Sequence, residues 1–94
     1  MELKNITPEV EKELDAQIKE SLSHKLMLFN DDYNTFEHVI RCLELYCGHG
    51  SMQAEQCALI VHNNGQCDVK RGPYEKLEPI CTALQDAGLT ADII

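Results

Sequence analysis

The sequence predicts a small α+β domain, a three-stranded antiparallel sheet packed against three helices in the order β-α-α-β-α-β. Three observations predict it. Apolar positions switch between alternation and steps of three and four along the chain, so strands and helices interleave. Turn and cap residues divide the segments at Asn30-Asp31-Asp32, Gly48, Asn63-Asn64-Gly65, Gly72-Pro73 and Ala87-Gly88. The length of 94 residues suits one domain with one modest core.

Residues 1–24 stand apart as an N-terminal extension, rich in Glu and Lys and without an aromatic residue. Thr7-Pro8 has the pattern of a helix start, and Val10, Leu14, Ile18 and Leu22 recur every four residues. That stripe is narrow, so the extension is expected to be partly helical and mobile. The domain itself is expected to span residues 25–94.

Leu26-Met27-Leu28-Phe29 is a short apolar run, expected as a buried strand that ends at Asn30. Asn34 followed by Glu37 has the reciprocal cap spacing of a helix start. Phe36, Val39, Ile40, Leu43 and Cys47 share one face of that helix, with Glu37, Arg41 and Glu44 on the other. Ser51 is expected to cap a second helix with Ala54, Cys57, Ala58 and Val61 inward, closed by Asn63-Asn64-Gly65. Gln66–Lys70 alternates as a strand. Gly72-Pro73 opens a third helix with Leu77, Ile80, Cys81 and Leu84 inward, and Ala87-Gly88 closes it. Leu89, Ala91 and Ile93 alternate as a last strand.

Composition narrows the function classes. The formal net charge is −8, which repels phosphate backbones, so nucleic acid is not an expected partner. No apolar run approaches the roughly 20 residues that cross a bilayer, and Met1–Lys12 has no apolar signal core. The expectation is a protein of the cytoplasm with no membrane contact. The five cysteines (Cys42, Cys47, Cys57, Cys67, Cys81) form no regular framework and are expected as reduced apolar fillers.

Two blocks carry a resemblance. Leu28-Phe29-Asn30-Asp31-Asp32-Tyr33-Asn34-Thr35-Phe36-Glu37-His38-Val39 joins an apolar strand to a helix start through Asn-Asp-Asp. Downstream, Ala54-Glu55-Gln56-Cys57-Ala58-Leu59-Ile60-Val61-His62-Asn63-Asn64-Gly65 ends a helix in Val-His-x-x-Gly. At this separation and in this element order, residues 25–94 resemble the ClpS family, the adaptors of bacterial ATP-dependent Clp proteases. The resemblance implies a ClpS-like fold, a cytoplasmic location in bacteria, no catalysis and no cofactor. It implies substrate proteins with N-terminal Leu, Phe, Tyr or Trp, and an AAA+ unfoldase partner of ClpA or ClpC type. By position, Asn30, Asp31 and His62 would hold the substrate's α-amino group. Phe36, Val39 and Ala58 would line the side-chain pocket, with Asp32 and Asn34 near its entrance. Among the departures from the family's habit, Phe36 and Ala58 stand where bulky unbranched residues, often Met, are common, Asn34 replaces a frequent Thr, and Pro73 and Glu78 occupy positions where an acidic and a basic docking residue are known. By the resemblance, the change at Phe36 is expected to narrow the mouth and that at Ala58 to open a wall.

The chemistry of those residue types suits the task. An α-amino group has a pKa of about 7.7–8.0, so it is mostly a cation with three donors at neutral pH. Asp31 offers an anionic acceptor, Asn30 a neutral one and a neutral His62 ring a third. Each hydrogen bond to a charged group contributes roughly 1.5–3 kcal/mol, and burying a Leu or Phe side chain a further ~1.5–3 kcal/mol. Micromolar affinity needs about 8 kcal/mol after association costs, so the free amine and the bulky side chain are both required.

Three other classes compete. His38 and Cys42 are four apart, and Cys47-Gly48-His49 follows, which suits a zinc or thiol site. Asp31, Asp32 and His62 could act as acid and base, but no nucleophile elbow, phosphate loop or cofactor fingerprint accompanies them. A non-catalytic interaction domain without N-terminal specificity could share the fold.

Overall fold

The computed structural model describes residues 7–21 and 23–94. Seven elements follow in the order α1 (Pro8–Ser21), β1 (His24–Phe29), α2 (Phe36–Cys47), α3 (Ser51–Asn64), β2 (Gln66–Gly72), α4 (Tyr74–Asp86) and β3 (Thr90–Ile93). From β1 onward this is the β-α-α-β-α-β order that the sequence predicts. The extension adds a fourth helix: Thr7 Oγ1 accepts the Val10 amide at 3.3 Å and Thr7 O the Glu11 amide at 2.9 Å. Val10 and Leu14 on α1 are exposed. The other two members of that stripe, Ile18 and Leu22, fall where the structure describes no side chain.

The sheet has the order β2-β1-β3, with β1 central and antiparallel to both neighbours. β1 is central because it is the most apolar strand; Leu26 and Leu28 are fully buried. Between β1 and β2 the register jumps: Leu26 pairs with Lys70 but Met27 with Asp68, so Val69 is an extra residue. Such a bulge takes a residue out of the pairing. His49 uses the result, placing Nε2 at 2.7 Å from Val69 O. A carbonyl only accepts, so Nε2 carries the proton. Among the described residues His49 is the one polar residue in the buried set, and its Nδ1 has no partner there.

One face of the sheet and three helices share the core. Leu26 and Leu28 of β1, Cys67 and Val69 of β2, and Ala91 of β3 meet Leu43 of α2, Ala54 and Val61 of α3, and Leu77 and Leu84 of α4. Each of these three helices buries the face its spacing predicts, although Phe36, Val39, Ile40 and Ile80 are only half-buried. All five cysteines are free and buried.

Element ends differ from the sequence expectation by a residue or two. α2 is capped by Thr35, whose side chain accepts the His38 amide at 3.1 Å, rather than by Asn34. Asn34 is unavailable because Asp31 and Gly88 engage its side chain. α3 starts from Gly50 without a side-chain cap, and Ser51 is already helical. β2 runs two residues past Lys70, and β1 takes in His24.

Candidate functional site

The ends of three elements meet at one place. β1 stops at Phe29, α2 begins at Phe36 and α3 ends at Asn64, and the loop between β1 and α2 lies beside the C-terminal turn of α3. Gly65 makes that junction. It takes φ +89°, in the left-handed region, and returns its N–H to Val61 O at 2.9 Å. Its own carbonyl then accepts the Asn30 amide at 2.9 Å, which pins the first loop residue to the end of α3.

Asp31 organises the rest of the loop. Its Oδ1 accepts the amides of Tyr33 and Asn34, both at 2.8 Å, and its Oδ2 accepts Asn34 Nδ2 at 2.7 Å. Burial works to raise the pKa of this carboxyl. The hydrogen bonds from Asn34 and Tyr33, with the nearby His38 ring, outweigh it and hold the pKa below the ordinary 3.8. Asp31 is therefore an anion with three of about four acceptor sites occupied. Its first task is to shape the turn, and one acceptor position on Oδ2 remains.

The result is a cleft of about 340 Å³ lined by Asn30, Asp31, Asp32, Asn34, Phe36, Val39, Ala58, Val61 and His62. All eight residues singled out from the sequence therefore line one cavity. Val61 is the addition. Its spacing marked it as core, and it is buried, but it lies three residues beyond Ala58 and shares the cleft floor. Inward of this cleft, a void of about 20 Å³, room for roughly one water, shares Asn30, Asp31, Asn34, Val39 and Val61 and reaches Leu28 and Leu89. The Phe36 and His62 rings meet edge to face with centroids 5.9 Å apart, joining the start of α2 to the last turn of α3. Tyr33, in the middle of the motif, is 94% exposed and lines neither cavity.

The geometry separates two chemistries within one cavity. Asn30, Asp31, Asp32, Asn34 and His62 supply polar atoms, whereas Phe36, Val39, Ala58 and Val61 supply apolar wall. Among the described residues no three His, Cys, Asp or Glu side chains converge as metal ligands. His38 Nε2 is 2.8 Å from Ala87 O, with Cys42 Sγ at 3.6 Å, so the pair on which the rival metal reading rests is part of a hydrogen-bonded junction.

Residues 19–92 match the family of the ATP-dependent Clp protease adaptor protein ClpS. The chain belongs to the ClpS family. It is 41% identical over 69 residues to the ClpS adapter of Thermosynechococcus vestitus, covering 72% of this chain and 73% of that one. The ClpS adapter of a Nostoc species is also 41% identical over 69 residues, covering 72% of this chain and 71% of that one. Among solved structures, Agrobacterium tumefaciens ClpS2 bound to L-phenylalaninamide shares the fold with a TM-score of 0.71 at 23% identity. That likeness covers 77% of this chain and 94% of that one. ClpS proteins are non-catalytic adaptors of the Clp protease, which implies a Clp AAA+ partner and protein substrates. The enzyme alternative falls with membership. No described helix is long and apolar enough to cross a membrane.

Proposed function

We propose that the cleft binds the free N-terminal residue of substrate proteins and that the chain hands them to a Clp AAA+ unfoldase of ClpA or ClpC type in the bacterial cytoplasm. Asn30, Asp31 and His62 hold the α-ammonium group. Phe36, Val39, Ala58 and Val61 enclose the side chain of Leu, Phe, Tyr or Trp, and Asp32 and Asn34 flank the entrance. The observation that carries this reading is the pairing of an anionic, acceptor-rich rim with an apolar wall in one cavity of about 340 Å³. The ligand of Agrobacterium tumefaciens ClpS2 supports it, since L-phenylalaninamide carries a free amine beside a benzyl side chain.

Titration with short peptides that differ only in the first residue tests the reading. Peptides beginning with Leu, Phe, Tyr or Trp should bind, and their N-acetylated forms or Ala-first forms should not. Asp31→Ala should weaken binding by more than about tenfold, because it removes a charged acceptor and unties the loop. His62→Ala should weaken it less. Equal affinity for free and acetylated peptides would instead support an interaction domain without N-terminal specificity.

Residues 1–24 are proposed to act in delivery rather than capture. Their removal should leave peptide affinity unchanged and stop degradation of a Phe-first reporter by the unfoldase–protease. Undiminished degradation by the truncated chain would count against that division of labour.

A further inference from the structure

The loop that shapes the cleft is held from its far side by the turn joining α4 to β3. Asn34 Nδ2, besides reaching Asp31, donates to Gly88 O at 2.9 Å. One helical turn further on, His38 Nε2 stands 2.8 Å from Ala87 O, and since the carbonyl only accepts, this nitrogen is the donor. Two consecutive carbonyls thus receive side-chain donors from the loop and from the first turn of α2. These carbonyls are free because α4 ends there. Ala87 is its C-cap and Gly88 turns away at φ +91°, so no intrahelical amide reaches them. His38 itself is half-buried and does not line the cleft.

We propose that His38 is a positioning residue: with Asn34 it clasps the β1–α2 loop and the start of α2 to the α4–β3 turn, and so sets the affinity for the N-terminal residue without touching it. The inference rests on the cleft's being the N-terminal-residue site. The physical basis is preorganisation. Two of the ammonium acceptors, Asn30 and Asp31, sit on the loop, and Phe36 and Val39 sit on the same helix turn as His38. A clasp that holds both halves in register removes ordering that binding would otherwise have to supply.

The test compares the parent with His38→Gln, which keeps a donor, and His38→Leu, which removes it. His38→Phe serves if the Leu variant does not fold. Two quantities are read on folded protein: affinity for a Phe-first peptide, and amide hydrogen exchange at Tyr33 and Asn34 without peptide. His38→Gln should stay within about twofold of the parent in both, and His38→Leu should bind about three- to tenfold more weakly with exchange quickened by a similar factor. A folded His38→Leu variant with parent affinity, or with parent exchange at those amides, overturns the clasp. Failure of the parent to bind any free N-terminus would overturn the reading of the cleft instead, and the exchange comparison would still decide whether the clasp exists.

Discussion

Asp31 shows how one side chain can serve the fold and the site together. Its carboxylate accepts three hydrogen bonds within its own loop, and the same charge lies in the wall of the cleft. The pKa is depressed in the folded state, so the associated stability is present above the ordinary value of 3.8 and is lost as pH falls through the lower folded value. Asp31→Asn should therefore flatten the acid limb of stability below about pH 4, measured as denaturant midpoints across that range. An unchanged acid limb would mean that the loop does not depend on the charge. Phe36 and Ala58 act on size rather than charge. The Phe36 ring stands edge to face with the His62 ring, and Ala58 puts only a buried methyl group on the wall.

At the scale of elements, the site is made of ends. The apolar wall comes from the first turn of α2 and the last two turns of α3, and the rim from the loop that leaves β1. Where α2 starts therefore decides where Phe36 and Val39 stand. Thr35 fixes that start by accepting the His38 amide. Thr35→Ala should cost about 1 kcal/mol of stability, within the roughly 0.5–2 kcal/mol of other cap deletions, and should weaken peptide binding as the first turn frays. Denaturant melts and peptide titration on the same variant check both effects. A stability change near zero would transfer the capping role to another group. The opposite end of the site depends on Gly65, whose left-handed backbone turns its carbonyl toward the Asn30 amide. A side chain at that position would strain the backbone by roughly 1–2 kcal/mol and disturb the junction.

At the scale of the whole molecule, the five cysteines behave as core. Burial raises the thiol pKa of Cys47 to about 11, the Lys70 charge opposing it and the neighbouring thiols Cys57 and Cys42 adding to it. Cys67 is pushed up to about 12, first by burial and then by Cys57 and Asp68. Cys42 and Cys81 are raised as well, again chiefly by burial. A thiol whose folded pKa is raised contributes no penalty below its ordinary value of 9.0. Above it, the unfolded chain ionises first, so stability should decline from about pH 9 toward pH 11–12. Cys67→Ala should lessen that decline, and iodoacetamide at about pH 8 should label Cys47 and Cys67 only after unfolding. Rapid labelling of the folded chain would show that these thiols are neither buried nor inert.

Taken by itself, the sequence determined the element order and the buried faces of the helices, and its resemblance to the ClpS family pointed to the residues of the cleft. The first two follow from local spacing, the third from two short motifs matched to a known family. Alternation marks strands, steps of three and four mark helix faces, and Asn-Asp-Asp with Val-His-x-x-Gly marks the two chain segments that meet. What it left open were contacts between residues far apart in the chain. The cap passed from Asn34 to Thr35 because Gly88, 54 residues away, engages the Asn34 side chain. Val61 belongs to core and cleft at once, which no periodicity distinguishes. The His38 and Asn34 bonds to the α4–β3 turn, and the bulge at Val69 that His49 caps, exist only once the helices have packed on the sheet. Local propensity sets where a backbone begins and ends an element. Which donor meets which carbonyl across the core is decided by packing, and only the tertiary structure holds that information.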